Sequence, residues 1–148
     1  MWAWALAKFT DEHPHLGEAE LVALTSQYSS DPRRFDPDDP TTWPTHASGG
    51  SVDVMLRSLD DGVVLNMGAA FDELGDIAHT DHLERLLRDG QIDPDAPALR
   101  NRRLLYNTMT TAGFANYPAE FWHYDFGNQM HAFNTGSRCA ACYGYVTA

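Results

Sequence analysis

Apolar residues recur at helical spacing over Trp2 to Phe9 and again over Glu18 to Tyr28, and the stretch between them, His13-Pro14-His15-Leu16-Gly17, is turn-like. Two short helices are predicted there. From Ser29 to Ser48 the periodicity disappears. Pro32, Pro37, Pro40 and Pro44 stand among acidic and polar residues, and a long loop is expected. Alternation takes over at Ser51, with Val52, Val54 and Leu56 on one face of a strand and Ser51, Asp53 and Met55 on the other. Asp60-Asp61-Gly62 then turns the chain into Val63-Val64-Leu65, which reads as a β-hairpin with Asp53 on its more polar face. Leu83 to Leu87 suits a short helix. Ala98 to Ala112 suits a longer one presenting Leu99, Tyr106 and Met109, with Gly113 placed to end it. A strand from about Ala119 to Phe126 follows. These elements predict an α+β fold, helices packed on a small, mainly antiparallel sheet, as one domain over residues 1–148 without internal repeats.

Composition narrows the partners. A chain of 148 residues that is 43% hydrophobic can bury one domain-sized core. Its formal charge of -11 works against a broad grip on nucleic acid or an anionic membrane, so a small-molecule partner is expected. No stretch approaches the roughly 20 apolar residues that cross a bilayer, and Met1 to Phe9 lacks the basic region and cleavage site of a signal peptide. Two cysteines, Cys139 and Cys142, are too few for a disulfide framework, and a cytoplasmic location is the expectation; oligomeric state is not legible.

Unusual chemistry concentrates in four segments: His46 to Asp53, Phe71-Asp72-Glu73, Asn101 to Leu105, and Glu120 to Tyr124. Two imidazoles and a carboxylate suit Zn2+ and leave a fourth position for water or a substrate oxygen, as catalytic rather than structural zinc sites do. A free carboxylate nearby can take the proton of that water. His79 and His82 could form a second metal pair, but at a helix start they read more simply as a solvated polar N-terminus. His13, His15 and His131 default to surface or supporting roles, and Cys139-Ala140-Ala141-Cys142, a lone C-x-x-C, to packing or incidental thiols.

His46, Gly49 and Asp53, followed by Glu120, Trp122 and His123, stand at the spacing of S-x-H-x-x-G-x-A-x-D and E-x-W-H. In these motifs the chain resembles the zinc D-alanyl-D-alanine dipeptidases related to the vancomycin-resistance dipeptidase. The resemblance runs nearly end to end and implies the small antiparallel sheet with packed helices of the zinc D,D-peptidase and hedgehog-like fold. It implies one zinc per chain on His46, Asp53 and His123, with Glu120 as the base. Met67-Gly68-Ala69-Ala70-Phe71-Asp72 is similar to the family's M-G-x-x-F-D stretch, by which Asp72 holds the substrate's free ammonium. A carboxylate at the closed end of a cleft selects a charged amino terminus and so favours a dipeptide. Trp122, between base and ligand, is expected to wall the site. Gly127-Asn128-Gln129-Met130 and Ala141 to Gly144 resemble the family's closing segment.

The sequence departs from the family pattern at three places. Pro44 replaces the motif serine and Ser51 the motif alanine. The family arginine, carried in a Y-R-P-like segment ahead of the first long helix, has no counterpart, since Met1 falls where that helix begins; substitution by Arg33 or Arg34 of the Pro-rich loop, or by a residue of a neighbouring chain, is not shown by the sequence. Loss of one oxyanion donor costs on the order of 100- to 1000-fold in rate. Hydrolysis of D-alanyl-D-alanine is therefore expected beside two alternatives: a truncated zinc-binding homologue with little or no turnover, and a related peptidoglycan D,D-carboxypeptidase or endopeptidase, against which Asp72 speaks.

Overall fold

The two amphipathic stretches at the start of the chain fold as α1 (Trp2–Glu12) and α2 (Glu18–Thr25). The computed structural model describes residues 1–137 and 141–144, so Cys139 and Ala140 of the C-x-x-C lie outside the described residues. It divides into two units, Met1–Pro44 and the chain from Thr45 onward. In the first, Ala5 and Phe9 of α1 and Leu21 and Thr25 of α2 are buried, each pair one helical turn apart. The Phe9 ring lies 5.5 Å from that of Tyr28. Thr25 satisfies its buried hydroxyl by donating to the Leu21 carbonyl at 2.7 Å. The Pro-rich stretch is a loop as expected, shaped by short 3-10 turns at Pro32–Arg34 and Pro40–Thr42. Each begins at a proline and is capped by an aspartate, Asp31 or Asp39, whose carboxylate accepts a backbone N–H two residues on.

The second unit is built on a three-stranded antiparallel sheet of β1 (Ser51–Asp53), β2 (Ala115–Asn116) and β3 (His123–Asp125), with β3 in the centre. Here the structure corrects the expected hairpin. The partner of β1 is β3, with Ser51 opposite Asp125, Val52 opposite Tyr124 and Asp53 opposite His123. Beyond Asp53 the hairpin keeps one bridge, Arg57 to Val64, held by Ser58 N–H to Val63 and Leu65 N–H to Leu56. The inward face of β1 is also the polar one: Val52 is 38% exposed, while Ser51 and Asp53 turn towards β3. The Ala119–Phe126 strand shrinks to β3, because Glu120 N–H bonds to Tyr117 and His123 N–H to Glu120, which curls the chain just before the strand. β2 was not foreseen at all; two residues are too few for periodicity to register.

Helices α3 (His82–Arg88) and α4 (Pro97–Thr111) arise where expected, followed by α5 (Gln129–Asn134). Gly113 ends α4 at φ 93°, donating to Thr110 while Phe114 donates to Met109, the paired bonds of a Schellman stop. Behind the sheet, Met67, Ala78, Leu105, Phe121, Trp122 and Tyr124 form the core. Each of the large side chains there contributes on the order of 2 kcal/mol by leaving water. Among the described residues no helix is long and apolar enough to cross a membrane.

The approach of β1 to the turn after β3 depends on one glycine. Phe126 N–H donates to the Gly50 carbonyl at 2.7 Å. A methyl group at Gly50 would meet the Phe126 carbonyl oxygen at 2.7 Å and Asn128 Cβ at 2.9 Å. Gly50→Ala is therefore expected to destabilise the protein by about 1–3 kcal/mol, read as a lower urea midpoint, because backbone rather than a pliable side chain has to move.

Candidate metal centre

His46 sits in the 3-10 turn Thr45–Ser48 that leads into β1. Asp53 ends β1 and His123 opens β3, and the register of that pair sets them face to face. His46 Nε2 lies 3.2 Å from Asp53 Oδ2 and 3.2 Å from His123 Nδ1, and His123 Nδ1 lies 3.0 Å from Asp53 Oδ1. One donor atom from each of the three falls within 4.8 Å of the others. The side chains are 49%, 24% and 7% exposed for His46, Asp53 and His123, so the centre opens to solvent on the His46 side. Asp53 Oδ1 is buried and lies 3.0 Å from His123 Nδ1, so the carboxylate and the imidazole nitrogens present their lone pairs to one place. Two nitrogens and one such oxygen, with an open side, fit a zinc-like cation.

Glu120, on the turn before β3, brings Oε2 to 3.6 Å from His123 Nδ1. Burial raises its carboxyl to about 7; His123 and His46 oppose this, and Asp53 and Asp72 add to it. Burial also works against a charged Asp53, but His123 and His46 more than offset it and hold that carboxylate below the usual range. Burial likewise disfavours the His123 imidazolium, yet Asp125 and Asp53 outweigh it and raise the ring to about 9. Four acids, Glu120, Asp53, Asp72 and Asp125, around two imidazoles form a pocket whose electrostatics favour a bound cation.

Asp72 is the one non-glycine residue with positive φ among those the structure describes, at 59°, a conformation that costs on the order of 1 kcal/mol. Burial and the neighbouring charge of Asp53 raise its carboxyl, which places it in the field of the same centre. Trp122 is 2% exposed, edge-on to Phe121 at 4.7 Å and 5.9 Å from Phe71, so it backs the site from the core. Arg33 belongs to the first unit, where it pairs with Asp31 at 2.8 Å. His82 bonds Asp76 at 2.7 Å, apart from any ligand cluster among the described residues.

The sequence reading missed the support behind His123. Asp125 is fully buried, with Oδ2 3.3 Å from His123 Nε2, while Oδ1 accepts from the Ser51 hydroxyl at 2.5 Å and the Asn128 amide at 2.7 Å. With Nε2 so occupied, Nδ1 is the nitrogen turned to the centre. The available signal was the strand period, since Asp125 stands two residues after His123 and Ser51 two before Asp53.

Comparison with known proteins identifies the chain's relatives. The family model described as D-ala-D-ala dipeptidase matches residues 18–140. A D-alanyl-D-alanine dipeptidase of Escherichia coli is 36% identical over 89 residues, 59% of this chain and 40% of that protein. One from Synechocystis is 33% identical over 103 residues, 68% of this chain and 41% of that protein. One from Streptomyces coelicolor is 30% identical over 119 residues, 80% of this chain and 48% of that protein. The chain thus spans less than half the length of the curated relatives it matches.

Proposed function

The chain belongs to the D-Ala-D-Ala dipeptidase family, a family of metallopeptidases, and on that premise we propose that it hydrolyses D-alanyl-D-alanine with one zinc ion held by His46, Asp53 and His123. The observation that supports the reading is the meeting of those three side chains, one donor atom from each within 4.8 Å of the others, with the Glu120 carboxylate alongside. Zinc held there supplies Lewis acidity towards a substrate carbonyl and a water.

The remaining work falls to the chain. Glu120 takes a proton from the attacking water and returns it to the leaving amine, a double duty suited to a carboxyl lifted close to neutrality. Asp125 fixes the His123 ring with Nδ1 forward. Asp72 accepts the substrate's ammonium group, and Trp122 and Phe121 keep water out from behind.

Release of alanine from D-alanyl-D-alanine by the zinc-loaded protein, with L-alanyl-L-alanine and an N-acetylated D-alanyl-D-alanine alongside, is the direct test. Turnover is expected for the free D,D-dipeptide alone. Preference for the acetylated peptide would point to a carboxypeptidase instead, and a zinc-loaded protein releasing nothing would overturn the reading. Asp125→Asn is expected to weaken metal binding by about 10- to 100-fold, measured by competition with a chelating dye, since the group that orients His123 is neutralised.

A further inference from the structure

A cleft of about 520 Å³ opens beside the metal centre, and its lining carries a charge pattern that no step above uses. Asp53, Met55 and Arg57 line it at every second position, so this run presents one side to the cleft as an extended chain does. Leu65, Ala70 and Phe71 contribute apolar lining. At the metal end, Asp72, beside Asp53, supplies the carboxylate that faces an ammonium group. At the other end stands Arg57, the single cation among the lining residues.

Arg57 is held and yet available. One Nη1 hydrogen bond, 2.9 Å to the Gly62 carbonyl, ties the guanidinium to the hairpin turn. It makes no ion pair with any carboxylate of the described residues, although Asp60 and Asp61 are close in sequence, and most of its five N–H donors stay unused. A cleft acidic at one end, apolar along its walls and cationic at the other matches a short zwitterionic peptide, ammonium at the acidic end and carboxylate at the cationic end.

We propose that Arg57 binds the C-terminal carboxylate of the peptide substrate and makes this chain select peptides with a free C-terminus. This deepens the dipeptidase reading and rests on it for the direction in which the peptide lies. Four residues of extended chain from Asp53 to Arg57 span about 13 Å, whereas an extended dipeptide spans about 7 Å. A dipeptide therefore needs the arginine side chain to fold back, while a tripeptide reaches it directly, and the guanidinium–carboxylate pair is the chemistry common to both.

Calorimetry on the zinc-loaded Glu120→Ala protein, which removes turnover, separates these cases. D-alanyl-D-alanine and D-alanyl-D-alanyl-D-alanine are titrated as free acids and as C-terminal amides, with Arg57 intact, as Arg57→Met and as Arg57→Lys. The free acid of at least one length is expected to bind about tenfold tighter than its amide. Arg57→Met abolishes that difference and Arg57→Lys restores part of it. An acid-to-amide ratio unchanged by Arg57→Met, or no binding of any of these peptides to the parent, overturns the proposal. Turnover by the protein with Glu120 intact is read separately, so loss of the Arg57 effect with hydrolysis preserved leaves the dipeptidase reading standing.

Discussion

Glu120→Gln is expected to lower kcat by about 100- to 10,000-fold while one zinc per chain is retained, because glutamine keeps the size and place of the side chain but cannot take a proton. The same substitution is expected to stabilise the metal-free protein at alkaline pH. Burial holds the Glu120 carboxyl at about 7, above its ordinary 4.5. As pH rises from 4.5 to 7 the unfolded chain gives up this proton first, so the native state loses stability across that window and stays less stable above it. The loss is on the order of 3 kcal/mol at most, and glutamine does not incur it. Thermal melts of metal-free wild type and variant should diverge above pH 7 and converge below 4.5. Bound zinc draws the carboxyl down, so the acid limb of kcat/KM should lie below 7 in the loaded enzyme. Equal kcat for wild type and variant would remove Glu120 from the chemistry, and equal melts at pH 8 would remove the burial argument.

Arg102→Met is expected to cost about 3–5 kcal/mol in urea unfolding, the largest effect foreseen for a residue with no place in the chemistry. Arg102 is 5% exposed and has no carboxylate partner among the described residues; burial lowers it to about 10. Its guanidinium donates instead to the carbonyls of Met67 at 2.7 Å, His79 at 2.9 Å and Ile77 at 2.8 Å, and stacks 4.0 Å from the centre of the Phe121 ring. One side chain of α4 thereby fastens both ends of the segment that carries Asp72 and braces the residue next to Glu120. Methionine fills the space and leaves those carbonyls without donors, each such loss costing about 1–3 kcal/mol. Arg102→Lys keeps a charge but not the planar fork, and should recover only part of the loss. A cost below about 1 kcal/mol for methionine would show that water replaces the guanidinium.

The candidate site was legible through a family resemblance, because the motifs that carry that resemblance are short runs of the chain. His46 and Asp53 lie seven residues apart and Glu120 and His123 three apart, and these separations are a matter of local geometry that the sequence carries whole. Helices α1 to α4 were legible for a similar reason, since a turn of helix repeats its apolar face within four residues. Gly113 could be assigned to the end of α4 since the stop needs a positive φ that other residues resist.

What the chain alone did not decide is which strand lies beside which. The alternation after Ser51 fitted a hairpin partner close in sequence, yet β1 pairs with β3 some seventy residues away, and that choice turns its polar face inward. Ser51, Asn128 and Asp125 become a network behind His123 only through that pairing, and Arg102 becomes a keystone only when α4 lies against the Met67–His79 segment. Patterns of apolar residues report the period of an element and the presence of a buried face. The partner of that face is set by the fit of distant surfaces and the satisfaction of buried polar groups, which exist only once the chain has closed on itself.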